Sequence, residues 1–393
     1  MGGKDPLHFL SPLIKIKTAS VTRTPEEAPE DQSRTPLTPL DGFIHAGLLI
    51  KPDQQKQTPL HFACFLGNLE IVTELIGALK ERESISVRNE DDETPLHLEA
   101  ACGYSAIVTF LLDNDTDISA EYKNTRKPID RAAATGHLNI FRVLYSKLDV
   151  GASAKQTLAM QDGLPVDGES PLEVTASNGY TEVVHLLLQK GVDPNFTDSS
   201  GSTPLGRAVS GGHIDTAAIL LYKGADPNLL NRERWITLLI AASRGITKVV
   251  DALLGHGANM NGRTLRKDTA LHLSVAHPDI IEKLLEWNPE LALLNYSGMT
   301  PLYLASMAPE DWDLKLFKTL CGQGPDLQHP SYLRNPPMIH AVRKGNLDTV
   351  RFLIRNSAQV AARGPDGISA LHIAAQNGST EILVELFKAP HWH

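Results

Sequence analysis

A chain of 393 residues with 42% hydrophobic and 21% charged residues can build a sizeable core, and an aromatic share of only 6% makes that core one of Leu, Ala, Val and Ile. The net charge of −9 argues against direct nucleic-acid binding over the whole surface, while leaving room for a local basic patch. No apolar run approaches the roughly 18 residues of a spanning helix, so no membrane insertion is expected.

The chain opens with Met1-Gly2-Gly3-Lys4-Asp5-Pro6, which has neither the apolar core nor the small-residue cleavage site of a signal peptide. An intracellular protein is therefore expected, cytoplasmic or nuclear. Gly2 would suit myristoylation, but Pro6 stands where that motif needs Ser or Thr. The sequons at Asn195 and Asn295 carry no weight without a secretory signal.

Residues 1–40 are rich in Pro, Ser, Thr and charge without helical periodicity, and read as a disordered tail. Ser11, Thr24, Thr35 and Thr38 each precede Pro and are candidate phosphosites whose modification would add negative charge; a Pro-rich linker also contains such pairs by composition alone. Residues 41–57 include the apolar piece Phe43 to Ile50, a candidate N-terminal cap.

From residue 58 to about 389 one frame repeats, with a Thr-like residue at its start and, in most copies, Gly nine places later. Starts fall at Thr58, Thr94, Lys127, Ser170, Thr203, Ile236, Thr269, Thr300, Pro336 and Ser369, most often 33 residues apart, which predicts about ten units. Thr or Ser caps a helix, and Pro behind it suits the first helical position, where a missing N–H costs nothing. Leu and small residues follow, as in Leu60, Ala63 and Cys64, giving a face that permits close helix packing. Gly ends that helix, a second amphipathic helix such as Glu182 to Leu188 follows, and Asp-Pro-Asn at 193–195 or 226–228 is turn chemistry. Residues 390–393 are expected to fray.

Thr58-Pro59-Leu60-His61-Phe62-Ala63, Thr94-Pro95-Leu96-His97 and Ala370-Leu371-His372-Ile373-Ala374-Ala375 resemble ankyrin repeats. That resemblance implies an all-α solenoid of helix-turn-helix units with short hairpin fingers, in which fingers and first helices present the partner-binding surface. His stands in the fourth motif position at His61, His97, His272 and His372, and the units with Asp130, Glu173, Gly206, Leu239, Tyr303 and Ile339 there are expected to lose a local hydrogen bond. The unit at Thr269 is short between its helices, the unit at Thr300 carries Ala308 to Trp312 where the glycine turn belongs, and residues 151–169 add a surface loop.

No metalloprotease, phosphate-loop, nucleophile-elbow or paired-cysteine signature is present. His61 and Cys64 could be imagined as a base and nucleophile, but both occupy packing positions. Cys64, Cys102 and Cys321 read as buried or half-exposed thiols without metal spacing, and His391-Trp392-His393 as a chain end rather than a chelator. No cofactor, no metal and no enzyme activity are expected.

Charge against the acidic background is the sharpest functional feature. Candidate partner-binding residues are Tyr122, Lys123 and Arg126, then Arg131 and Arg207 on first helices, Arg232, Arg234 and Trp235, Arg244, and Arg263, Arg266 and Lys267. The alternative is that they are ordinary solvated charges. The expected function is that of a monomeric protein-interaction scaffold or adaptor for an acidic or phosphorylated segment. A second reading is a regulator that sequesters a transcription or turnover factor, switched by phosphorylation of its tail.

Overall fold

The computed structural model describes residues 51–79, 85–122, 126–148, 170–305, 320, 336–361, 363–364 and 366–389. The tail and its phosphosites, Phe43 to Ile50, Lys123, the 151–169 stretch, Ala308 to Trp312, Cys321 and residues 390–393 lie outside them. The chain divides into two compact units, one of Met1–Thr175 with Gln189–Val192, the other of Ala176–Leu188 with Asp193–His393.

Described residues are helical, joined by turns and two isolated β-bridges. In chain order the helices are α1 (Pro59–Phe65), α2 (Leu69–Ala78), α3 (Pro95–Cys102), α4 (Ser105–Asp113), α5 (Pro128–Ala134), α6 (Leu138–Leu148), α7 (Pro171–Ser177) and α8 (Thr181–Gln189). They continue with α9 (Pro204–Ser210), α10 (Ile214–Tyr222), α11 (Thr237–Arg244), α12 (Val250–Gly255), α13 (Ala270–Leu273), α14 (Pro278–Glu286), α15 (Pro301–Ala305), α16 (Pro337–Lys344), α17 (Leu347–Arg355), α18 (Ala370–Gln376) and α19 (Thr380–Lys388). The short unit at Thr269 loses length from its first helix, where α13 tightens into a 3-10 turn at Ser274–Ala276 and α14 begins at once.

Helices this short are unstable alone, because nucleation fixes several residues for one hydrogen bond. Stacking supplies what is missing. In the first unit α1, α3 and α5 pack in one row and α2, α4 and α6 in another; in the second, α9, α11, α13 and α15 form a row, as do α10, α12 and α14, while α16 packs on α18 and α17 on α19. First helices bury Leu and Ala (Leu60, Ala63, Leu205, Ala208), and second helices bury a 3–4-spaced stripe such as Ile107, Val108 and Leu111. Each fully buried Leu or Ile contributes about 1.5–3 kcal/mol.

Polar groups also cross from one repeat to the next. His61 Nε2 donates to the carbonyl of Glu93 at 3.1 Å, so its Nδ1 accepts from the Thr58 N–H at 3.1 Å. His272 repeats this with Met299 (2.9 Å) and Thr269 (3.2 Å). Burial holds both imidazoles below their ordinary pKa, so they are neutral struts at pH 7. The expectation that units without His lose the cap bond fails at two places. Asp130 accepts from the Lys127 N–H at 2.7 Å, and Glu173 from the Ser170 N–H at 2.7 Å, because a carboxylate three residues into the helix makes the same reach back to the cap.

Asn195, Asn228 and Asn261 do more than close turns. Asn195 accepts from the Asp226 N–H at 2.7 Å and donates to the Gly224 carbonyl at 3.2 Å, and Asn228 does the same to Asn259 (2.7 Å) and Gly257 (2.8 Å). Asn261 continues the ladder to Glu290. The glycines also have a second duty. A Cβ on Gly103 would lie 2.6 Å from the His137 ring and one on Gly179 2.3 Å from the His213 ring. Those rings donate to the carbonyls of Ala101 (3.0 Å) and Ser177 (2.9 Å) at the ends of α3 and α7. Gly179→Ala, with φ +73 and this clash, should therefore cost at least about 1 kcal/mol more than Gly224→Ala, whose φ of +90 is equally left-handed but whose surroundings are open. Urea unfolding of both variants measures the difference, and equal costs would refute the steric role.

Cys64 is buried and Cys102 half-buried, both as free thiols. Burial, then the neighbouring Glu99, pushes both thiols up in pKa, which leaves them poorly reactive. Glu99 itself stands in α3 where the other first helices carry Ala, Thr or Ser. It is fully buried, and burial, only partly offset by the backbone N–H of Tyr104, raises its pKa from 4.5 to about 8. The folded chain thus keeps a proton that the unfolded chain releases, and stability falls as pH rises from about 4.5 to 8, by up to about 1.4 kcal/mol per pH unit. Glu99→Ala should flatten this slope and raise the melting temperature at pH 8 more than at pH 5; parallel wild-type and variant profiles would refute the assignment.

Candidate partner-binding cleft and fingers

Six of the described loops that precede first helices share one construction. In each, the first residue of five accepts from the N–H groups of the third and fifth: Asn89 (2.9 and 2.9 Å), Asp198 (2.7 and 2.8 Å), Asn231 (3.0 and 2.8 Å), Thr264 (3.2 and 3.2 Å) and Asn295 (3.0 and 3.0 Å). Residues 53–57 fold the same way around Asp53. The fourth residue is left-handed in every case: Lys56, Asp92, Gly201, Arg234, Lys267 and Gly298. Neighbouring fingers are pinned by backbone bonds, Arg232 N–H to the Ser200 carbonyl at 3.0 Å and Tyr296 N–H to that of Arg266 at 2.7 Å.

The sequence-derived candidates separate on this scaffold. Tyr122 and Arg126 belong to the first unit and close a small bridge on each other's backbone. The Tyr122 ring meets His97 edge-on at 5.0 Å and lies 5.4 Å below the Arg131 guanidinium, whose Nη2 binds Glu93 Oε1 at 2.5 Å. Arg131 is therefore an internal strut rather than a free cation. Arg207, in the second unit, is likewise committed to Asp198 at 2.6 Å. Burial pushes the Asp198 carboxyl up in pKa, but hydrogen bonds from the Ser200 hydroxyl, Arg207 and the finger's backbone together hold it below the usual range. These two arginines leave the set of available charges because each is committed to a carboxylate of a finger, Glu93 or Asp198.

Arg232, Arg234, Arg263, Arg266 and Lys267 are all exposed and make no ion pair among the described residues. They crowd two consecutive fingers that contain only two carboxylates, Glu233 and Asp268. Arg244 donates to the Ser210 carbonyl at 2.5 Å, tying α11 to α9.

Beside these fingers lies a cleft of ≈ 370 Å³. Arg207, Glu233, Trp235, Ile240 and Arg244 line it, together with Gly206. Gly206 stands where other units carry the His of the cap. Where His fills this slot, as at His61 and His272, its ring bridges to the next finger, so a glycine here leaves the space open. A Cβ at Gly206 meets nothing closer than Thr203 Oγ1 at 3.3 Å and Ile240 Cδ1 at 3.6 Å. Gly206→His should fill the cleft, restore the reach back to the Thr203 N–H, and raise stability by about 1–2 kcal/mol in urea unfolding; a loss of stability would refute this origin of the cleft.

Among the described residues no group of three or more His, Cys, Asp or Glu is placed to hold a metal ion, and no helix is long and apolar enough to cross a membrane. Capped helix pairs joined by pinned fingers define a tandem helical-repeat protein. The family profile described as "Ankyrin repeats (3 copies)" matches residues 60–157, 129–231, 238–329 and 306–391, and the chain belongs to the ankyrin-repeat family, whose repeats mediate protein–protein interaction.

Among relatives, the chain is 28% identical over 151 residues to the probable 26S proteasome regulatory subunit p28 of Saccharomyces cerevisiae, covering 38% of this chain and 62% of that one. It is 26% identical over 314 residues to the B-cell lymphoma 3 protein homolog of Mus musculus, covering 77% and 60%. The matched stretch thus spans less than two thirds of each relative. The solved ankyrin repeat domain of Bcl-3 superposes with a TM-score of 0.48 at 27% identity, over 58% of this chain and 98% of that domain.

Proposed function

We propose that this chain is a non-catalytic, intracellular scaffold or adaptor of about ten repeats, which binds an acidic or phosphorylated protein segment through the fingers at 231–235 and 263–268. The observation that carries the reading is the group of five exposed cations that make no ion pair among the described residues, on a chain whose net charge is −9. Their loops are fixed before binding by the Asn231 and Thr264 acceptors, so association orders side chains rather than backbone. Trp235 and Arg244 extend the same face into the cleft. Arg234 and Lys267 sit at φ +59 and +60, where the neighbouring fingers use Gly201 and Gly298, so the cations stand in a conformation that disfavours them.

Charge reversal at Arg232, Arg234 and Arg266 should weaken binding of a Glu-rich peptide more than about tenfold at low salt, measured by fluorescence anisotropy, with the effect shrinking as salt rises. Unchanged affinity would sink the reading. The variant Arg234→Gly supplies a folding control, because glycine relieves the left-handed residue while removing one charge; it should bind more weakly without losing thermal stability.

A second reading is a regulator that sequesters a transcription or turnover factor, with the tail as a phosphorylation switch. The relative named as a proteasome regulatory subunit favours it. Deleting residues 1–40 separates the two, since a plain scaffold binds its partner equally with and without the tail and its kinase.

A further inference from the structure

Resting on the reading of an acidic partner, we propose that the segment carries large apolar side chains among its carboxylates, and that Leu265 and Tyr296 are their seats. Leu265 is 63% and Tyr296 79% exposed. Each is the second residue of its five-residue finger, the position that holds Arg232 in the finger before. The loop's own hydrogen bonds use the first side chain and the backbone, so the fold asks nothing of the second side chain. An apolar group there exposes surface to water and returns no packing.

The two tips are held in register. Thr264 and Asn295 lock their own loops, and the bond from Tyr296 N–H to the Arg266 carbonyl at 2.7 Å fixes one finger against the other. Apolar tips therefore stand beside Arg266 and Lys267, next in the chain to the finger bearing Arg232 and Arg234. Exposed cations set encounter rate and salt dependence, whereas aromatic and aliphatic anchors set how long a complex lasts. A segment of carboxylates alone, or a polyphosphate, would satisfy the cations and leave Leu265 and Tyr296 uncovered. A segment that mixes Glu or Asp with Leu or Phe covers both.

Two short fluorescein-labelled peptides of equal length and equal Glu content test this on the full chain, one with Ser and the other with Leu and Phe between the glutamates. The apolar peptide should bind at least about fivefold tighter and keep that margin at ~0.3 M salt, where the charge contribution is screened. In the double variant Leu265→Ser, Tyr296→Ser the margin should vanish while the Glu-Ser peptide binds as before. Equal affinity of the wild type for both peptides, or a margin that survives the double variant, overturns the inference and leaves the acidic reading standing. Binding of neither peptide overturns both.

Discussion

No helix among the described residues is long enough to stand alone, and that constraint governs the rest of the molecule. A seven-residue helix leaves most of its backbone groups without internal partners, so both its apolar face and its polar ends must be completed by the next repeat. The packed rows of Leu and Ala meet the first need. The imidazole struts at His61 and His272, the rings of His137 and His213 on helix-end carbonyls, and the Asn195–Asn228–Asn261 ladder meet the second. Periodicity is the outward sign of that mutual dependence.

A surface built this way has little freedom left for recognition, and the cations show how it is divided. Arg131 and Arg207 are absorbed into the scaffold by Glu93 and Asp198, at side chains where the carboxylate is 10% and 3% exposed. The finger cations face no such partner among the described residues. Two of them, Arg234 and Lys267, occupy left-handed backbone that glycine would tolerate better. Lys56 and Asp92 do the same in the first unit, so the conformation belongs to the finger and only the choice of charge is local. At Gly206, too, the side chain that reaches across the repeats elsewhere is missing, and the position lines a cleft.

The repeat, its caps and its glycine turns were legible because each is a local pattern with a local cause, as Thr58-Pro59-Leu60 and Gly67 show. The family match agrees with that reading. Interactions between repeats were not legible, because a sequence frame aligns equivalent positions but does not say which of them touch. Thus Asn228 read as turn chemistry although it spans two loops, and Asp130 and Glu173 read as losses although they remake the cap. The same blindness put Arg131 and Arg207 among the available charges although each is ion-paired across the scaffold, and gave no sign that Leu265 and Tyr296 are exposed. Glu99 could have been found, since it breaks a column of small residues in the frame itself.

The fit of the His213 ring over Gly179, and of His137 over Gly103, bears on how such a chain can lengthen. The ring belongs to one repeat and the vacant space to the one before, so neither repeat is a self-contained brick. A copied repeat brings both halves of the joint and can be inserted between any two others that keep them. A repeat that loses its glycine spoils the seat of its successor rather than its own. Lengthening by duplication is therefore permissive wherever such a joint is kept, because the copied repeat carries both the ring and the glycine that receives it.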